Sequence, residues 1–247
     1  MKSKTPVKQN KKALVFTAHP DDHICAAGTL MFLKDRGFII NEIVATGGEK
    51  GVWWTEDGRK KTNFEKQSLQ KEREKEISAA SKLIGISNTI FLNLPDSEVS
   101  RNFELIEKII GIVRREKPSV VFVMNPSDYH HDHREIGKIA TEAIERASWS
   151  NQTELGDPMK IPLVLYMEGF YFGKTDIVVD ITPYIQRKKA ILDVYASQID
   201  PSERKLLESM NTYHAFFRRD RKVLSAEAFE LPKEFPVYLN KVIEFFK

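Results

Sequence analysis

Between residues 13 and 144, short apolar runs rich in β-branched residues alternate with amphipathic stretches, and this alternation is the strongest constraint on the fold. The runs at 13–17, 39–45, 89–92 and 120–123 read as strands. The first and last of them carry no polar alternation, as expected of strands covered on both faces. Helical patterns fill the gaps. One follows Gly28 through residues 29–33, and another spans 67–84, with Leu69, Ile77, Ala80 and Ile84 on one side and Gly85 as its stop. A third runs from 103 to 115, and a fourth carries Ile136, Ile139, Ala140, Ala143 and Ile144. Strands that alternate with helices predict an α/β chain with a mostly parallel sheet and right-handed crossovers, in a Rossmann-like three-layer arrangement.

The remainder is less regular. Residues 164–167 and 177–179 read as strands, and 183–195, 203–217 and 237–246 as helices. With no repeat and no linker, residues 1–247 are expected to form a single domain, with 1–12 a flexible basic tail. A net charge of +3 with dispersed lysines gives no nucleic-acid footprint. No apolar run reaches the ~20 residues of a membrane span, and the basic N-terminus lacks a signal-peptide core. Cys25 is the single cysteine, which excludes an intrachain disulfide and a cysteine-built zinc site and favours a cytoplasmic setting.

Two polar clusters each follow a strand, and they hold five of the six histidines. The first is His19-Pro20-Asp21-Asp22-His23, where Pro20 stops the strand. The second runs from Asn125 to His133. His19 and Asp22 are three apart around a turn. His130 and His133 are three apart at a predicted helix start, on one helix face. Two imidazoles and one carboxylate with an open fourth position suit a catalytic zinc, and Asp21 beside them is placed to take a proton from water.

At these residues the chain resembles the LmbE-like, or PIG-L, family of zinc-dependent N-deacetylases. The family's Ala-His-Pro-Asp-Asp-Glu motif is matched by Ala18 to Asp22, with His23 at the last place. Its His-x-Asp-His motif is matched by His130-His131-Asp132-His133. Thr46 to Gly51, Arg73 with Glu76, Leu94-Pro95-Asp96, Ala196-Ser197-Gln198 and Ala226 to Phe229 also have counterparts. The resemblance implies that His19, Asp22 and His133 bind Zn2+, with Fe2+ or Mn2+ as alternatives, and that Asp21 is the general base. It further implies that His130 stabilises the oxyanion or protonates the leaving amine, that Asp132 orients an imidazole from behind, and that Arg73 and Asp96 hold substrate hydroxyls. The substrate class it implies is an N-acetylglucosamine unit, free or conjugated. His23 in place of glutamate bears on site electrostatics and metal preference, and its place just past the turn suggests a packing role.

The weaker signals have plainer readings. His131 is expected at the rim, Cys25 as a buried inert thiol, and His214 as an ordinary helix residue. Of Trp53 and Trp54, one is expected to anchor the long loop and one to reach the rim, and Phe216-Phe217 reads as core or subunit contact. A metal-dependent amidase on another small amide, or a family member that binds metal without activity, would use the same residues. A metal-dependent phosphoesterase would need more carboxylates and often a second metal. A nucleotide-binding module would rest on Gly47-Gly48-x-x-Gly51, a weak fingerprint that follows the second strand rather than the first.

Overall fold

A computed structural model describes residues 11–55, 59–169, 171, 173–217 and 222–235. The chain lays down β1 (Lys12–Thr17), α1 (Ala27–Asp35), β2 (Ile39–Thr46), α2 (Lys66–Ile84), β3 (Asn88–Leu94), α3 (Phe103–Glu116), β4 (Val120–Met124), α4 (His131–Arg146) and β5 (Leu163–Met167). It continues with β6 (Ile177–Asp180), α5 (Ile185–Val194), α6 (Pro201–Phe217) and β7 (Ala226–Glu230). The sheet order is β3-β2-β1-β4-β5-β7-β6. Strands β3, β2, β1, β4 and β5 pair in parallel, while β7 runs antiparallel to both β5 and β6. Helices α3 and α4 pack on each other, and α1, α2 and α5 form a second helical group. This is the expected α/β layering. Among the described residues, no helix is long and apolar enough to cross a membrane.

The sheet core follows from the apolar runs. Leu14, Phe16, Val121, Phe122 and Val123 are fully enclosed, because β1 and β4 lie mid-sheet with neighbours on either side. Helix α4 descends close onto the end of β4. A Cβ on Gly137 would lie 2.4 Å from the Met124 carbonyl oxygen, so only glycine permits that approach.

Two elements differ from expectation, the start of β1 and the strand β7. Lys12 belongs to β1 rather than to a tail, while residues 1–10 lie outside the described residues, as does the helix expected at 237–246. Helix α4 starts at His131, at the expected helix start and five residues before its first apolar position, where the His130 side chain caps it. Strand β7 escaped the pattern because it buries a carboxylate. Glu227 accepts hydrogen bonds from the Gly28 and Thr29 amides at 2.8 and 2.7 Å, from the Thr29 hydroxyl at 2.6 Å and from Lys188 Nζ at 2.7 Å. It supplies the anion that the N-terminus of α1 needs and neutralises a buried lysine of α5.

Two buried ions thus tie remote segments together, the second being Arg114. Its guanidinium donates to six carbonyls, including Ala147, Trp149, Gln152 and Gly156, and so satisfies the end of α4 and the turn after it. Glu227→Ala should cost about 3 kcal/mol, because Lys188 and two helix amides would remain buried without their anion. A thermal melt should register this as a drop of roughly 10 °C for a chain of this size. A shift under 2 °C would show that the contact contributes little.

Candidate active site

Strands β1 and β4 are adjacent, although the chain visits β2 and β3 between them. Their carboxyl ends flank the point where the strand order reverses, and open α/β sheets form their crevice there. Both polar clusters meet at that point.

The first cluster is shaped by its own carboxylate. Asp22 Oδ2 accepts from the Ala18 and His19 amides, both at 2.8 Å, which folds the turn back on the strand end. Its other oxygen stands 3.1 Å from His133 Nε2. The second cluster builds a helix start. Asp128 Oδ1 accepts from the His130 amide at 2.8 Å, and His130 Nδ1 accepts from the Asp132 amide at 3.3 Å as the cap of α4. His133 occupies the first turn of that helix and points at β1.

Residues 114 positions apart therefore meet: His19 Nδ1 is 3.2 Å from His133 Nε2. The His19 and His130 rings lie 4.8 Å apart, and those of His130 and His133 lie 4.7 Å apart. Carboxylates hold the far side of each imidazole. His19 Nε2 is 3.3 Å from Asp132 and 3.4 Å from Asp96, and His133 Nδ1 is 3.3 Å from Asp128. Gly169 closes over this last pair, since a Cβ there would sit 2.6 Å from Asp128 Oδ2.

The electrostatics follow from this packing. Burial alone would lower the His19 and His133 pKa values. The carboxylates around them outweigh it, so His19 is held well above its usual value and His133 is pushed up to about 9. Asp22 is drawn well below the carboxylate range against its burial, by His133 first and then His19. Asp96 and Asp132 are lowered against burial by His19 and by backbone amides. His130 moves the other way: burial lowers it, and the positive neighbours His19 and His133 add to the shift.

This donor set fits a divalent cation. Two ring nitrogens 3.2 Å apart, each carrying a proton, repel one another, whereas a shared metal takes both lone pairs together with Asp22 Oδ1. Donors bound tetrahedrally at 2.0–2.1 Å stand roughly 3.4 Å from one another. Donor atoms of His19, His130 and His133 lie within 4.8 Å of one another, as do those of His19, Asp96 and Asp132. A carboxylate behind each imidazole fixes its tautomer, the usual support of a metal-binding histidine.

A cavity of about 490 Å³ opens beside these donors, lined by His19, Asp21, Trp54, Arg73, His130 and Glu203 among others. Arg73 and Asp96 reach it with partners already in hand. Arg73 donates to the Gly48 and Val52 carbonyls, and Asp96 Oδ2 accepts from the Lys50 amide at 2.7 Å. Within the glycine-rich loop, the Gly48, Lys50 and Gly51 amides bond to Thr46, Asp96 and Gly48, so the loop does not present them as a phosphate cradle. Glu76, one turn after Arg73, accepts from the Ser197 amide and hydroxyl and the Gln198 amide group, all within 2.9 Å, and so anchors the opposite wall.

Other predicted positions fall as follows. Trp54 lines the cavity, while Trp53 packs at its side on Phe64, with ring centroids 5.3 Å apart. His131 turns away to the Val99 carbonyl. Cys25 is part of the cavity wall rather than fully enclosed, with burial foremost in pushing its thiol up. His214 is more than an ordinary helix residue: it is buried, with Nε2 2.8 Å from Glu168. Phe216 is exposed and no part of the core, and the side chain of Phe217 lies outside the described residues. Two site residues were missed. Asp128 was given no role within the second cluster, although an Asp two residues before a helix cap commonly accepts from the cap's amide in an Asx turn. Glu203 had no local signal. Its carboxyl is pushed up to about 7, by burial first and then by Asp21 and Asp200.

Comparison with known proteins agrees with this geometry. Residues 14–144, just over half of the chain, match the PIG-L family, described as GlcNAc-PI de-N-acetylase. Diacetylchitobiose deacetylase of Thermococcus kodakarensis is 28% identical over 205 residues, 78% of this chain and 72% of that one. The structure of N,N'-diacetylchitobiose deacetylase from Pyrococcus horikoshii superposes with a TM-score of 0.79 at 24% identity, covering 92% of this chain and 85% of that one. GalB, the 4-carboxy-2-hydroxymuconate hydratase of Pseudomonas putida KT2440, reaches 0.82 at 21% identity over 92% and 98%. At these identities the structural likenesses concern the fold.

Removing a carboxylate from behind His133 should loosen the donor set without dismantling it. Asp128→Asn is expected to weaken zinc binding by 10- to 100-fold, as measured by competition with a chelator. Unchanged affinity would show that Asp128 does not tune the imidazole.

Proposed function

The chain belongs to the PIG-L family, and from that premise we propose that it is a metal-dependent N-deacetylase that hydrolyses the acetamide of an N-acetylglucosamine-type sugar. The observation that carries this reading is the convergence of His19 Nδ1, Asp22 Oδ1 and His133 Nε2 beside a cavity that also presents Asp21 and His130. In this reading His19, Asp22 and His133 hold the metal. Zinc is the ion this nitrogen and oxygen set suits, with Fe2+ or Mn2+ also accommodated. The bound ion supplies a Lewis-acidic centre that acidifies water and polarises an amide carbonyl.

The protein groups do the rest. Asp21 takes the proton of the attacking water as its oxygen bonds to the acetyl carbon. His130 accepts the Asp132 amide at Nδ1, so the proton of its neutral ring sits at Nε2, from which it donates to the oxyanion. As the carbon–nitrogen bond breaks, Asp21 returns the proton to the departing nitrogen. Acetate and the amino sugar result. Asp132 keeps His19 oriented while bonded to the Ser97 and Val99 amides, and Arg73 and Asp96 shape the sugar-binding side.

The direct test offers N,N'-diacetylchitobiose and N-acetylglucosamine to the zinc-loaded protein and follows the amine released, with a chelated control. Asp21→Asn should retain zinc and lose at least 100-fold in kcat, because general-base catalysis contributes about that much. His19→Ala should lose the metal itself. Full turnover by Asp21→Asn would sink the assignment.

The protonation of these donors gives a second check. His133 titrates at about 9 in the folded protein, above its free value of 6.5, so its proton stabilises the fold below pH 6.5 and that contribution is lost as pH rises through 9. Metal must displace this proton. Apparent zinc affinity should therefore fall by roughly tenfold for each pH unit below 9 per proton released. Calorimetry in buffers of different ionisation enthalpy would count the protons, and binding without proton release would contradict the geometry.

A further inference from the structure

His23, the departure from the family motif, does not touch the metal donors. Its ring is wholly enclosed, with Nδ1 2.9 Å from Glu42 Oε1 and Nε2 2.6 Å from the Tyr195 hydroxyl. Tyr195, equally enclosed, donates to the Pro20 carbonyl at 2.9 Å. Glu42 belongs to β2, and the other hydroxyls near its carboxylate, from Thr17 and Thr89, stand at 3.4 and 3.5 Å. Among the described residues the His23 ring is thus its one close donor, and a buried carboxylate needs one.

These contacts join three separate segments: β2, the turn after β1, and the residue following α5. They end on the Pro20 carbonyl. That oxygen belongs to the rigid peptide group whose other end is the Asp21 nitrogen, so holding it sets the plane from which the Asp21 side chain departs. Asp21 lines the cavity, and among the described residues no side-chain hydrogen bond fixes its carboxylate, so its orientation depends on the backbone that carries it.

We propose that Glu42, His23 and Tyr195 form a buried positioning relay that orients Asp21, and that histidine at position 23 is matched to glutamate at position 42. The orienting half rests on the reading of Asp21 as the base. The matching half stands on the contacts alone. A glutamate at position 23 would face Glu42 as a second buried carboxylate in the place of its donor, and relieving Glu42 of its charge should make that glutamate acceptable.

The test combines a stability cycle with kinetics on the full chain. In the metal-free protein, His23→Glu should lower Tm by roughly 10 °C, and adding Glu42→Gln should restore at least half of the loss. Additive effects, or a double variant no more stable than His23→Glu, would overturn the matching. Should His23→Glu fail to fold, recovery of a folded double variant supports the proposal, and failure of both overturns it. For orientation, Tyr195→Phe removes only the hydroxyl. On N,N'-diacetylchitobiose it should reduce kcat by 10- to 100-fold, with KM and zinc content within twofold of wild type. Arg114→Ala, which loosens the turn after the far end of α4 and touches none of these groups, should leave kcat within twofold below its melting range. A folded Tyr195→Phe with kcat within twofold of wild type would overturn the orienting role. A wild-type protein that binds zinc but releases no amine from any N-acetyl sugar would overturn the proposed activity and the orienting role together, leaving the matching to the stability cycle.

Discussion

The parallel pairing of β1 with β4 is the constraint on which the site depends. Register places Phe16 beside Val123, so the two strands end level, and their next residues turn outward into the same crevice. Neither cluster forms a donor set alone. His19 and Asp22 supply one imidazole and one carboxylate from a tight turn, and His133 supplies the second imidazole from the first turn of α4. The close seat of α4 on β4, which Gly137 permits, turns that helix start into a rigid bracket.

Around the donors the protein has arranged anions at graded depths. Asp22 faces the two ring nitrogens that approach each other, His19 Nδ1 and His133 Nε2. Asp96, Asp132 and Asp128 face the outer nitrogens of the same imidazoles and take backbone amides with their remaining valences. Each buried carboxylate is thus satisfied by donors that cannot move independently, which rigidifies the loops after β2, β3 and β4 as one unit. The same negative surroundings raise the imidazole pKa values in the absence of a cation, so protons and metal compete for one place. The fold does not by itself decide the reaction, since a deacetylase and a hydratase share it; the chemistry lies in these side chains.

Much of this was legible in the sequence because its signals are local. Four strands of β-branched residues, the glycine that stops the helix after 67–84, and two clusters at strand ends identify the layering and the crevice. The parts that could not be read depend on partners distant in sequence. Strand β7 looked unlike a strand because Glu227 is buried against α1, about 200 residues earlier, and no periodicity records such a contact. Glu203 reaches the cavity from α6 for the same reason. His23 seemed an anomaly when compared with its motif alone, and it became intelligible once Glu42 and Tyr195 were seen on either side.

The order of synthesis gives the β7 arrangement a further meaning. Among the described residues strand β6 pairs only with β7, and β7 also closes against β5, so residues 177–180 have no place in that sheet until residues 226–230 follow from the ribosome. The amide end of α1 waits as long for Glu227. The five parallel strands, with both halves of the donor set, can assemble on the nascent chain well before that. The donor residues can therefore come together while β7 is still unmade, and arrival of β7 then locks the helix that begins beside them.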